Sequence, residues 1–325
     1  MPGRIAADSL LAVALVLAFS SAACKSENEK AGEPPPAATA DQLMPPGELE
    51  KLPAQAADQR ISYGKDSSQY GDLRIPAGAG PHPVAVLIHG GCFKAQYATP
   101  RDLAAMADAL KADGIATWNI EYRRLGQPGG GWPGTYLDVA NAIDYLPKIA
   151  QKYSLDLDRV AVVGHSAGGH LAMWSAARAR VPATSAIYTK KPLRVRGVID
   201  LAGPLDLSAH IAEYEGLCRD SVITLLMGGT PQTVAERYAQ ASPIKLVPLG
   251  IPQVLVIGDH EDFVPRPLVE AYASAAKQSG DSVRLIVFPN VGHFEIASPT
   301  SSPWPRVESA IRALIDGKLP HDSVH

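Results

Sequence analysis

The sequence of 325 residues predicts an α/β domain: a mostly parallel central sheet with helices on both faces. Three observations predict it. Short continuous apolar runs rich in β-branched residues, such as Val84-Ala85-Val86-Leu87-Ile88 and Val254-Leu255-Val256-Ile257, read as strands buried on both faces, as parallel sheets require. Segments with apolar residues at helical spacing separate them, so strand and helix alternate along the chain. Finally, the run from Val160 to Val163 breaks at Gly164-His165-Ser166-Ala167-Gly168 and resumes with Leu171 and Trp174 on one helical face, a strand, a tight turn and a helix.

Composition sets the bounds. With 46% hydrophobic and 19% charged residues the chain is ordinary for a globular protein and long enough for one large core. A formal net charge of -3 with no basic stripe excludes nucleic acid as an expected partner.

Residues 1–24 read as an export signal. Arg4 opens it, residues 10–19 form an apolar run too short to span a bilayer as a permanent helix, and residues 20–23 are small, as a cleavage region requires. Its end, Ser21-Ala22-Ala23-Cys24, resembles the bacterial lipobox, which implies a lipidated Cys24 and a membrane tether. Plain secretion is the alternative; both describe an exported bacterial protein. Residues 25–58 are rich in Glu, Ala and Pro without a sustained period, and a disordered linker is expected there. The folded domain is expected over residues 59–320.

Within it, Ile61, Tyr63, Leu73 and Ile75 suit short antiparallel edge strands ahead of the first buried strand. Thr99-Pro100-Arg101-Asp102 is a helix start: a capping threonine, proline at the first helical position and an acid in the first turn. Leu103, Met106, Ala107 and Leu110 make the apolar face, and Gly114 ends it. Residues 115–120 form the next strand. A glycine-rich loop, residues 126–134 with Trp132, lacks the Gly-Lys-Ser/Thr ending of a phosphate cradle and is read as an active-site rim. Residues 136–150 follow as one helix and 195–202 as a strand. A structureless loop as long as 203–248 is improbable in a compact domain, so short helices forming a small cap are expected. Two more strands, at 254–258 and 283–288, flank a helix over 267–278, and the last helix presents Val307, Ile311, Leu314 and Ile315 on one face.

The candidate chemistry gathers at strand ends. A turn that pushes Ser166 out of a strand leaves no room for bulk on either side, which explains Gly164 and Gly168. Two glycines after the strand ending at Ile88, in His89-Gly90-Gly91-Cys92-Phe93, free backbone N–H groups to meet an oxyanion together with the amide of Ala167. His293 follows the last strand directly, and an imidazole with an ordinary pKa of about 6.5 suits proton transfer near neutrality. Gly258-Asp259-His260-Glu261-Asp262-Phe263-Val264-Pro265 offers three carboxylates, Asp259, Glu261 and Asp262, of which only one need orient the histidine. Consecutive side chains do not readily converge on one ion, so this loop is not read as a metal site. With Cys24 lipidated or removed, Cys92 and Cys218 remain. They either pair, clamping the cap to the oxyanion loop in an oxidising compartment, or stay as buried free thiols.

Gly164-His165-Ser166-Ala167-Gly168 fits the nucleophile elbow G-x-S-x-G, and its combination with His89-Gly90-Gly91, Glu121-Tyr122-Arg123-Arg124 and Gly292-His293 resembles the bacterial α/β-hydrolase esterases and acylhydrolases with a His-Gly-Gly motif, a group with feruloyl-esterase-like and kynurenine-formamidase-like members. The resemblance implies an α/β-hydrolase fold and a cofactor-independent serine hydrolase cleaving small-molecule carboxylic esters through Ser166, His293 and Glu261. In that pattern the acid stands three residues after the glycine, which selects Glu261 over Asp262. An amidase or exopeptidase with the same triad is the alternative, and a non-catalytic binding protein on the same scaffold is a third.

Overall fold

The computed structural model describes residues 43–209 and 211–320; the expected export signal, Cys24 and the first part of the expected linker lie outside the described residues. In chain order the elements are β1 (Gln59–Ser62), β2 (Tyr70–Arg74), β3 (His82–Ile88), α1 (Ala104–Ala112), β4 (Ala116–Ile120), α2 (Gly134–Asp144), α3 (Leu146–Tyr153), β5 (Leu155–His165), α4 (Ala167–Ala177), β6 (Gly197–Leu201), α5 (Ile211–Leu217), α6 (Val222–Met227), α7 (Ala235–Ala241), β7 (Gln253–Gly258), α8 (Arg266–Gln278), β8 (Val283–Phe288) and α9 (Trp304–Ile315).

One eight-stranded sheet runs in the order β1-β2-β4-β3-β5-β6-β7-β8. The β1–β2 and β2–β4 pairs are antiparallel and every other pair is parallel. Side chains alternate across a strand, so β3 feeds both faces of the sheet. Val84, Val86 and Ile88 enter a core with α2, α3, α4 and α8, whereas Ala85 and Leu87 enter a second core with α1 and α9. With a core on each face, the strand has no polar side, which is why it reads as one apolar run. Register places the chemistry. Ile88 lies opposite Gly164 and Gly164 opposite Asp200, so the loops after β3, β5 and β6 leave the sheet at one carboxyl edge, where open α/β sheets bind ligands.

Three expectations change. The helix expected over 136–150 is two, because Pro147 has no N–H to donate to the preceding turn; α2 ends at Asp144 and α3 starts again with Pro147 in its first turn. The linker expected over 25–58 is ordered from Leu43: Leu49 is buried in the second core and a 3₁₀ turn spans Leu49–Lys51. A Glu- and Pro-rich composition hid this, since a single buried leucine leaves no periodic signal. The glycine-rich loop at 126–134 is not an active-site rim. It packs against α6, with Trp132 N donating to Leu226 O at 2.7 Å, and none of its residues lines the cavity shared by Ser166 and His293. The 3₁₀ turn Pro100–Leu103 that leads into α1, by contrast, follows its local chemistry: the Thr99 hydroxyl accepts from Arg101 N and the Asp102 carboxylate accepts from Thr99 N.

Candidate active site

Ser166 sits between β5 and α4 with φ 56° and ψ -124°, a conformation that costs a non-glycine residue energy and persists only where its surroundings demand it. Those surroundings are backbone. A Cβ on Gly164 would lie 2.0 Å from Gly168 O, and one on Gly168 would lie 2.0 Å from Ile88 O. Strand, turn and helix therefore close on one another only through glycines, and the serine is left at the helix N-terminus, where negative charge is favoured. Ser166 N donates to Leu201 O at 2.8 Å, tying the turn to the end of β6.

His293, on the loop after β8, turns Nδ1 toward both oxygens of Glu261, at 2.8 and 2.9 Å, with only 4% and 2% of the two side chains exposed. Glu261 Oε1 also accepts from Phe263 N at 2.7 Å and Val264 N at 3.0 Å. A carboxylate accepts and does not donate, so Nδ1 carries the proton and Nε2 keeps its lone pair. Phe263 and Phe294 pack on the ring with centroids 4.5 and 4.9 Å away, fixing its plane. Of the three acids the sequence offers, the carboxylate facing His293 is therefore that of Glu261. Asp262 is exposed, and Asp259 pairs with His260 at 2.7 Å instead.

Ser166 and His293 line one cavity of about 340 Å³, together with Gly90, Gly91 and Cys92, within the range of small-molecule pockets. No hydrogen bond among the described residues engages the Ser166 hydroxyl; such contacts commonly tighten only when substrate arrives. Hollows of about 500, 440 and 530 Å³ elsewhere are larger, yet none brings a hydroxyl together with an imidazole. The amides of Cys92 and Ala167 make no hydrogen bond with the described residues and stay available to an oxyanion. Gly90 is needed for close approach, since a Cβ there would stand 2.9 Å from Ser166 Cβ.

Two supports of the site carried no assigned role in the sequence. Glu121 sits beneath it, accepting from His89 Nε2 at 3.1 Å, Tyr122 N at 2.8 Å and Arg124 Nη2 at 2.8 Å, while Tyr122 Oη donates to His89 O at 2.8 Å. Burial would raise the Glu121 carboxyl, but His89, Arg124 and the Tyr122 amide outweigh it and hold the group below its usual value. His165 is the other: its Nε2 lies 2.9 Å from the carbonyl of His293, which can only accept. Burial, then the neighbouring His293, pull His165 down to about 3, so it is a neutral donor that braces the histidine loop.

Cys92 and Cys218 are joined in a disulfide across 126 residues of chain, with Cα atoms 5.9 Å apart. It ties the oxyanion loop to the segment after α5, and Cys218 and Arg219 are the part of the expected cap that reaches the cavity. Constraining so long a loop stabilises by roughly 2–5 kcal/mol in chain-entropy terms. Reduction under native conditions should lower both the melting temperature and turnover; unchanged turnover after verified reduction would show that the loop holds its shape unaided.

A sheet parallel except at one edge, with a strained serine at the turn after its long fifth strand, defines the class: this is an α/β-hydrolase. The same fold recurs in a truncated form of carbohydrate esterase from gut microbiota, with TM-score 0.68 and 20% identity over 81% of this chain and 97% of that one. The BD-FAE family model matches residues 72–273, more than half of the sequence, and the chain belongs to that family. Among curated relatives, Esterase LipC of Mycobacterium tuberculosis is 27% identical over 240 residues, covering 72% of this chain and 59% of LipC. Esterase LipQ of the same organism is 26% identical over 305 residues, covering 91% of this chain and 72% of LipQ.

Proposed function

We propose that the protein is a carboxylesterase-type serine hydrolase acting on compact carboxylic esters, with Ser166 as nucleophile, His293 as general base and Glu261 as the acid that orients it. The observation that carries this is the buried pair of His293 and Glu261 opening onto the same cavity as Ser166. Ser166 Oγ attacks the ester carbonyl while His293 Nε2 takes its proton. The tetrahedral oxyanion accepts from the amides of Ala167 and of the loop through Gly90, Gly91 and Cys92, and each such donor is worth about 3 kcal/mol. Collapse expels the alcohol, which leaves with the proton held by His293. Water, deprotonated by the same imidazole, then releases the acid from Ser166. No cofactor enters this sequence of steps.

Hydrolysis of p-nitrophenyl acetate tests the reading. Ser166→Ala should reduce kcat by about 10³- to 10⁶-fold, with labelling by a fluorophosphonate abolished. Retained turnover in that variant would end the assignment. Including an aryl formamide in the panel separates ester from amide preference.

Export is part of the same proposal. A disulfide beside the active site suits an oxidising compartment, and the small residues before Cys24 suit lipidation and a membrane tether. Cys24→Ser should shift the protein from the detergent phase to the aqueous phase on Triton X-114 partition; an unchanged distribution would favour plain secretion.

A further inference from the structure

The segment before β1 does more than lead into the domain. At its start the Leu43 side chain stands 3.4 Å from the Cβ position of Gly292, and Met44 N donates to Glu295 Oε1, so it is attached to the loop bearing His293. At its end Arg101 Nη2 donates to Leu52 O at 2.6 Å and Arg74 Nη2 to Gln55 O at 2.9 Å, attaching it to the turn at Pro100–Leu103 and to β2. Between these anchors the chain turns, with Glu48 N donating to Pro45 O at 3.3 Å and Gly47 at φ 84°. Pro46, Gly47 and Leu49 thereby line the cavity shared by Ser166 and His293. Leu49 is 2% exposed, so the wall is rooted in the core. All of it lies ahead of residue 72, where the match to the BD-FAE family begins.

We propose that residues Pro46, Gly47 and Leu49 form a specificity-determining wall that limits the length of the acyl chain the site accepts. The proposal rests on the ester-hydrolase reading. A cavity of about 340 Å³ is at the small end for a ligand site, and the wall runs from the His293 loop, where Leu43 and Met44 are held, to the turn at Pro100–Leu103, where Arg101 holds Leu52. Selectivity among apolar chains in such a pocket changes by about 10-fold or more for each methylene admitted or refused. Short acyl esters are therefore the substrates this wall favours.

The test compares kcat/KM for p-nitrophenyl acetate, butyrate and octanoate on the full chain. Leu49→Ala removes bulk from the wall and should raise the octanoate-to-acetate ratio by about 10-fold. Pro46→Trp, at an exposed position on the rim, should lower that ratio by a similar factor through KM, and it decides the matter if Leu49→Ala does not fold. Ratios within twofold of the parent in both folded variants, or one common factor across all three esters, would overturn the wall. Acetate hydrolysis that survives Ser166→Ala would instead overturn the ester-hydrolase reading beneath it.

Discussion

Glu261→Gln should lower kcat by about 10³- to 10⁴-fold while leaving the fold intact, and Asp262→Asn should stay within about threefold of the parent. The reason lies in what each oxygen of Glu261 contacts. Oε1 accepts from the amides of Phe263 and Val264 and both oxygens face Nδ1, so the carbonyl of a glutamine would take the Oε1 place and its NH₂ the Oε2 place, 2.9 Å from Nδ1. One of the two acceptors of the Nδ1 proton then becomes a donor, and the negative charge beside the ring is gone. The imidazolium that forms when His293 takes the proton of Ser166 loses its counter-charge, and the amide NH₂ favours the tautomer protonated on Nε2, which has no lone pair for that proton. Steady-state kinetics on both variants, with near-ultraviolet circular dichroism to establish folding, checks the prediction; the reverse order of effects would move the acid to Asp262.

Stability against urea should peak slightly below neutral pH and fall on both sides. On the acid side the cause is two buried histidines: burial pulls His170 down to about 4, as it does His165 to about 3. Each stays neutral in the folded protein, whereas the unfolded chain takes up a proton below about pH 6.5. Unfolding then binds up to two protons, so the stability present above pH 6.5 is lost as pH falls toward 4. Asp200 acts in the opposite sense. Burial, with the charge of Glu261 adding to it and only the Gly203 amide opposing, pushes its carboxyl well above the usual range. The folded state keeps that proton while the unfolded state has released it above about pH 3.9, so stability falls as pH rises toward the folded value.

The two contributions overlap between about pH 4 and 6. The histidines take up two protons against the one that Asp200 releases, so stability still falls as pH falls on the acid side. Glu121, held below its usual value, adds loss only below about pH 4.5. His170→Asn keeps the donor that Nδ1 offers Pro204 O at 2.8 Å, and should remove about one proton from the acid slope. Asp200→Asn should flatten the alkaline decline and stabilise the protein above neutrality. Urea midpoints from pH 4 to 9 for the parent and both variants decide this; an alkaline slope unchanged in Asp200→Asn would show that Asp200 is ionised when folded.

Local patterns are enough wherever the chain itself imposes the geometry. The apolar runs of β3, β5 and β7, the capped start before α1 and the glycines around Ser166 each answer to a constraint acting within a few residues, and each is legible for that reason. The break between α2 and α3 is legible too once Pro147 is weighed against the helical period.

Fold class, the nucleophile turn and the histidine after the last strand are fixed by amino-acid order alone, because strand period, glycine spacing and position along the chain are local or ordinal properties. Long-range packing was needed to establish which carboxylate meets His293, that Cys92 reaches Cys218, that Glu121 braces the oxyanion loop, and that Pro46, Gly47 and Leu49 line the cavity. Those pairings join segments far apart in the chain. Their physical basis is the register of the sheet and the packing of loops at one edge, for which a linear sequence carries no periodic trace.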